Sequence, residues 1–90
     1  MHGIHKDNKK ILVRLKRILG QIHGVEKMIL QDKYCIDIIT QTSAIKSAIS
    51  ALEDEMLESH LMHCLHTNIK QAQLKKMQSE IIKVYKLKRK

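Results

Sequence analysis

The sequence predicts an all-α chain, a protomer of three helices, and three observations carry that expectation. Proline is absent and glycine occurs three times in 90 residues, so little in the chain breaks a helix. The chain is 43% hydrophobic, and its apolar residues recur at steps of three and four rather than two. Phe and Trp are missing and Tyr occurs twice, so large aromatics that would close a small core are scarce. Residues 1–90 are expected to form one small domain that completes its core by association.

The first helix is expected over about residues 8–30. Ile11, Leu15, Ile18, Ile22, Val25 and Ile29 make one apolar stripe, and Asp7 or Asn8 can cap its start. Gly20 and Gly24 lie inside it; each lowers helix propensity by up to about 1 kcal/mol and permits the close approach of another backbone. Gln31, Asp32 and Lys33 form the corner before the second helix, expected over about 34–66. Its pattern runs from Cys35 through Ile38, Thr42, Ile45, Ile49, Leu52, Met56 and His60 to Cys64, with Ala44, Ala48 and Ala51 letting neighbours come close. After a turn near Thr67 and Asn68, the weaker series Leu74, Met77, Ile81 and Val84 predicts a third helix over about 69–88.

Composition also narrows the function. No glycine signature of a phosphate-binding or dinucleotide-binding loop is present, and nothing resembles a triad or a paired-carboxylate cleft, so an enzyme is not expected. No apolar run approaches the roughly 18 residues of a membrane span, and no secretory signal opens the chain. The expectation is a soluble, cytoplasmic protein without a membrane partner. In that setting two cysteines read as ligands, reactive thiols or small buried side chains rather than as a disulfide.

The net charge of +8 is unevenly spread. Residues 1–33 carry 8 basic and 3 acidic side chains, residues 34–66 carry Lys46 against five acids, and residues 67–90 carry 8 basic against Glu80. The three balances are +5, −4 and +7, which sum to +8. Two basic ends around an acidic centre suggest a polyanionic partner, the bland alternative being a solvated surface with a lysine-rich tail. On the first helix Lys10, Arg14, Arg17 and Gln21 fall in one narrow strip by their 4-3-4 spacing. Arg and Lys neutralise phosphates, and Arg or Gln can also read base edges. No helix-turn-helix pattern accompanies the strip.

The chemistry concentrates in the second helix. His60 and Cys64 stand one turn apart on the same face, and Cys35 lies on the same stripe. At 1.5 Å per residue, Cys35 and His60 are about 37 Å apart along an unbroken helix, so one chain cannot bring them to one ion. In an antiparallel pair of identical helices, centred near Ala48 and Ile49, Cys35 of one protomer falls level with His60 and Cys64 of its partner, giving two equivalent sites. Two thiolates and an imidazole make a soft donor set that favours Cu(I). Zn(II), with a fourth ligand from His63, His66, His2 or His5, and Ni(II) or Co(II), using the amino-terminal histidines His2 and His5, remain open on spacing alone.

The stretches Arg14-Leu15-Lys16-Arg17-Ile18-Leu19-Gly20-Gln21-Ile22, Asp32-Lys33-Tyr34-Cys35-Ile36-Asp37-Ile38 and Leu57-Glu58-Ser59-His60-Leu61-Met62-His63-Cys64 resemble the copper-sensing repressors of the CsoR/RcnR type. The resemblance covers nearly the whole chain. It implies a protomer whose first two helices pair into an antiparallel four-helix-bundle dimer, with dimers joining as a homotetramer. It further implies a transcriptional repressor that binds double-stranded operator DNA when empty and releases it on Cu(I) binding, derepressing metal-resistance or efflux genes. The metal ligands implied are Cys35 of one protomer with His60 and Cys64 of the partner, the trio reached from helix rise. Tyr34 and Glu80 match positions that link that site to the third helix, and Arg14 and Arg17 match positions of DNA contact. A histidine at position 64 would mark a nickel or cobalt branch, whereas Cys64 favours copper. The nickel branch that keeps the trio adds an amino-terminal histidine, and here Gly3 stands at that place between His2 and His5. Formaldehyde- and persulfide-sensing relatives lack one or more of the three ligands, all of which this chain retains. A metal-buffering protein without DNA function would explain the ligands but not the basic ends. A membrane-surface or partner-binding module would explain the tail but not the ligands.

Overall fold

The computed structural model describes residues 8–65 and 70–89, the side chains of Asn8 and residues 63–65 excepted. The described residues form three helices and no strand: α1, Asn8–Leu30; α2, Cys35–Leu65; and α3, Gln71–Arg89. The expected cap Asp7, the histidines His2 and His5, and the turn at Thr67 and Asn68 lie outside the described residues, as does the expected start of the third helix at residue 69.

The corner between α1 and α2 is built by hydrogen bonds rather than by glycine. Asp32 takes a left-handed backbone with φ 52°, its N–H donates to the Ile29 carbonyl at 3.1 Å, and the Lys33 N–H donates to the Met28 carbonyl at 2.9 Å. This pair of bonds closes the last turn of α1 and satisfies carbonyls that the helix end leaves over. The Tyr34 carbonyl then accepts the N–H groups of Asp37 at 3.0 Å and Ile38 at 3.2 Å, which starts α2 at Cys35. Asp37 in that first turn suits the positive end of the helix dipole.

α1 and α2 run antiparallel. Ile11, Ile18, Ile45 and Leu52 are the buried core, with Val25 and Ala48 packed against them. On α1 these are every seventh residue, two turns apart, so the contact is a narrow seam. Burying each isoleucine or leucine stabilises by about 1.5–3 kcal/mol, a small sum for a chain of this length. Thr42, on the same side of α2, meets its own need by donating its hydroxyl to the Ile39 carbonyl at 2.9 Å.

The sequence stripe is wider than this seam. Leu15, Ile22 and Ile29 of α1 are exposed, as are Ile49 and Met56 of α2. Their period marks a face that α2 alone does not cover. Gly20 and Gly24 have nothing within 4 Å of where a Cβ would stand, so among the described residues no backbone makes the close approach expected there. The protomer measures 55 × 28 × 15 Å, so it is a slab about one helix thick in its thinnest direction. No helix among the described residues is long and apolar enough to cross a membrane.

α3 has no buried residue, and its clearest anchor to α2 is polar. Lys88 Nζ donates to the Ser50 carbonyl at 3.1 Å, to Ser50 Oγ at 2.9 Å and to Glu53 Oε1 at 3.2 Å, and lies 3.1 Å from Asp54 Oδ1. Asp54 above all pushes the Lys88 pKa above the ordinary lysine value of 10.5; burial pulls the other way, and Glu53 adds to the rise.

Candidate metal and nucleic-acid sites

Cys35 is the first residue of α2 and an exposed, free thiol, set by the Asp32 corner and the Tyr34 carbonyl. His60 is half-buried near the other end of the same helix. Since α2 continues unbroken from Cys35 to Leu65, the two residues remain about 37 Å apart within one protomer. Position 64 is helical and one turn beyond His60, while the Cys64 side chain lies outside the described residues. Among the described residues no three His, Cys, Asp or Glu side chains converge into a metal-binding group. The protomer therefore presents its candidate donors at opposite ends of one rod. Between them, on the same side, Ile49 and Met56 remain 39% and 37% exposed. Tyr34 and Glu80 are both exposed, the first at the start of α2 and the second midway along α3.

The donor chemistry suits a soft ion. Thiolate sulfur binds Cu(I) in preference to hard cations, and imidazole is compatible with it. No carboxylate lies on this stripe of α2, whose residues at its ends are Cys35, His60 and Cys64.

The expected nucleic-acid strip divides in the structure. Lys10, Arg14 and Arg17 are exposed on α1, whereas Gln21 is half-buried and its Oε1 is buried without a hydrogen-bond partner. Two of the three cations are already engaged. Arg14 Nε lies 2.7 Å from Glu55 Oε2, and Lys10 Nζ lies 3.6 Å from Glu55 Oε1. Oε2 is screened from solvent and receives no aligned hydrogen bond, so the contact with Arg14 is one of charge. Glu55 was not singled out by the sequence; its signal there was only membership of the acidic run Glu53-Asp54-Glu55. A turn of about 100° per residue separates the roles of that run, Glu53 and Asp54 meeting α3 and Glu55 meeting α1.

Comparison with known proteins agrees with the three-helix fold. The chain is 38% identical over 85 residues to the copper-sensing transcriptional repressor CsoR of Bacillus subtilis, covering 94% of this chain and 84% of that one. It is 42% identical over 64 residues to the copper-sensing transcriptional repressor RicR of Mycobacterium tuberculosis, covering 71% of this chain and 67% of that one. The crystal structure of the copper-sensing repressor CsoR with Cu(I) from Geobacillus thermodenitrificans superposes with a TM-score of 0.84 at 37% identity, over 100% of this chain and 95% of that chain. The profile of the metal-sensitive transcriptional repressors matches residues 7–86. The protein thus belongs to the metal-sensitive transcriptional repressor family, a family of regulators and not of enzymes.

Proposed function

We propose that this chain is a copper-responsive repressor, acting in the cytoplasm, that holds operator DNA when metal-free and lets go when loaded with Cu(I). The observation that carries the reading is the unbroken helix from Cys35 to Leu65. It keeps Cys35 and His60 at opposite ends of one protomer, and an antiparallel partner brings the two ends level. Cys35 of one protomer would then hold the ion with His60 and Cys64 of the other, two sites per dimer following from the two-fold axis. Exposed Ile49 and Met56 supply the apolar seam for that pairing, and exposed Leu12, Leu15, Leu19 and Ile22 on α1 supply a further face on which dimers join as a tetramer. Residues 1–90 act as one metal-sensing, DNA-binding domain.

Bound there, Cu(I) supplies a cross-link between subunits that the thiols and imidazole do not make by themselves. Tyr34 precedes the Cys35 ligand directly, and together with Glu80 it would carry occupancy of the seam to α3. Duplex DNA meets Lys10, Arg14, Arg17 and Gln21 of α1, with α3 adding basic charge. Two sites that favour different tetramer shapes are coupled by about 1–3 kcal/mol, and the coupling is reciprocal: DNA weakens metal binding by the factor by which metal weakens DNA binding. The copper-sensing names of the relatives and the Cu(I) in the related crystal structure support copper over Ni(II), Co(II) or Zn(II) as the inducer.

A gel shift with promoter DNA tests this. Cys35→Ala is expected to keep the affinity of the metal-free protein and to lose release by Cu(I). A variant that still dissociates normally on Cu(I) addition would remove Cys35 from the site. Release by Ni(II) or Co(II), and not by Cu(I), would reassign the inducer.

A further inference from the structure

Glu55 occupies an unusual place for a carboxylate. It lies one turn beyond Leu52, at the edge of the seam where Ile11 and Ile18 pack on Ile45 and Leu52, and its side chain is 23% exposed. Its two partners, Lys10 and Arg14, belong to the strip of α1 assigned above to DNA, and among the described residues it is the one carboxylate paired with that strip. The strip's three cations, Lys10, Arg14 and Arg17, thus carry a net +2 rather than +3 in the free protein. Arg14 is engaged through Nε, and its side chain is still 45% exposed, so the guanidinium is held and partly neutralised without being covered.

We propose that Glu55 is an internal counter-charge that limits sequence-independent attachment to DNA. This rests on the DNA-binding reading of the strip. A phosphate approaching Lys10 and Arg14 must compete with a carboxylate that already holds them and repels the newcomer. On random duplex, only the charge attraction is available to meet that cost, because nothing else is matched. On an operator, directed contacts from the exposed Arg14 and Arg17 to base edges or fixed phosphates offset it. The carboxylate therefore weakens non-specific binding more than specific binding, which widens the ratio between them.

The test is Glu55→Gln, which keeps the size and a carbonyl acceptor but removes the charge. Binding is measured against salt on a random-sequence duplex and on a duplex enriched by selection on the unsubstituted protein. The variant is expected to bind random duplex more tightly, with a salt slope steeper by about 0.9 for each freed charge in contact. Between 200 and 50 mM salt that slope adds about 3.5-fold to the affinity for each such charge. The preference for the selected duplex is expected to fall, and the gain is expected to vanish in a Lys10→Ala/Arg14→Ala background. Unchanged or weaker random-duplex binding by Glu55→Gln would overturn the proposal while leaving the DNA-binding reading standing. A gain that survives in the doubly substituted background would overturn it too. Should the unsubstituted protein bind neither duplex, the DNA-binding reading falls and this inference falls with it. Circular dichroism accompanies each variant, and Glu55→Ala serves if the glutamine variant does not fold.

Discussion

Lys88 Nζ lies 2.9 Å from Ser50 Oγ, and this contact fixes the last turn of α3 beside the middle of α2. The same ammonium reaches the Ser50 carbonyl, Glu53 and Asp54. Because α3 buries none of its residues, one polar cluster holds its end. Lys88→Met is expected to loosen α3 without disturbing the α1–α2 seam. Hydrogen exchange measures this: amides of residues 82–89 lose protection, and those beside Ile11, Ile18, Ile45 and Leu52 keep it. Retained protection in α3 would show that another contact holds it.

The pH dependence of that contact follows from the direction of the Lys88 shift. Its pKa is raised in the folded chain, chiefly by Asp54, so its contribution is fully present below the ordinary value of 10.5 and is lost as pH rises through the raised value. Docking of α3 is therefore expected to be constant across neutral pH and to fail in strong alkali. An alkaline titration followed by circular dichroism is expected to show a step that Lys88→Met lacks. A step near neutral pH would assign the contact to other groups.

The Asp32 corner gives a local prediction. A left-handed backbone costs a residue with a Cβ about 1–2 kcal/mol, and a β-branched side chain suffers most. Asp32→Val is expected to destabilise by about 1–2 kcal/mol and to displace Cys35, whereas Asp32→Gly is expected to change stability by less than about 1 kcal/mol, its lower strain offset by greater chain entropy. Thermal denaturation compares the two. Equal melting temperatures would deny the corner its strained geometry.

Much of this fold was legible in the sequence, for a physical reason: apolar period and the scarcity of breakers are local properties. The stripe through Ile11, Ile18 and Val25, the uninterrupted run from Cys35 and the corner at residues 31–33 could all be read from residue types alone. What covers each face could not. Leu15 and Ile22 share the period of Ile11 and Ile18 yet remain exposed, because period defines a side of a helix and not its neighbour. The closing bonds at Asp32 were hidden because that position more often carries glycine. Lys88 read as part of a solvated basic tail, and Lys10 and Arg14 as free cations, since the partners of Lys88 lie 34 to 38 positions away in the chain and Glu55 lies 41 and 45 positions from Arg14 and Lys10. At the candidate metal site, the sequence supplied the donor types and the distance between them along α2; in the proposed dimer, what unites them is another copy of the chain.

Arg14 gives a prediction for the DNA strip. Arg14→Ala removes one cation from the strip and frees Glu55 from its nearest partner. Operator affinity is expected to fall, and the salt slope to flatten by about 0.9 for each lost phosphate contact. Fluorescence anisotropy at several salt concentrations measures both. An unchanged slope would remove Arg14 from the DNA surface.

The most direct test is complementation between two defective chains. One carries Cys35→Ala, and the other carries His60→Ala with Cys64→Ala. In an antiparallel dimer of the two, one seam has lost every donor and the other retains the full set. Neither variant alone is expected to bind Cu(I) through two sulfurs and a nitrogen, whereas the co-expressed mixture is expected to recover one such site per mixed dimer, read by X-ray absorption and copper stoichiometry. A mixture that binds no more copper than its separate parents would contradict a metal site shared between subunits.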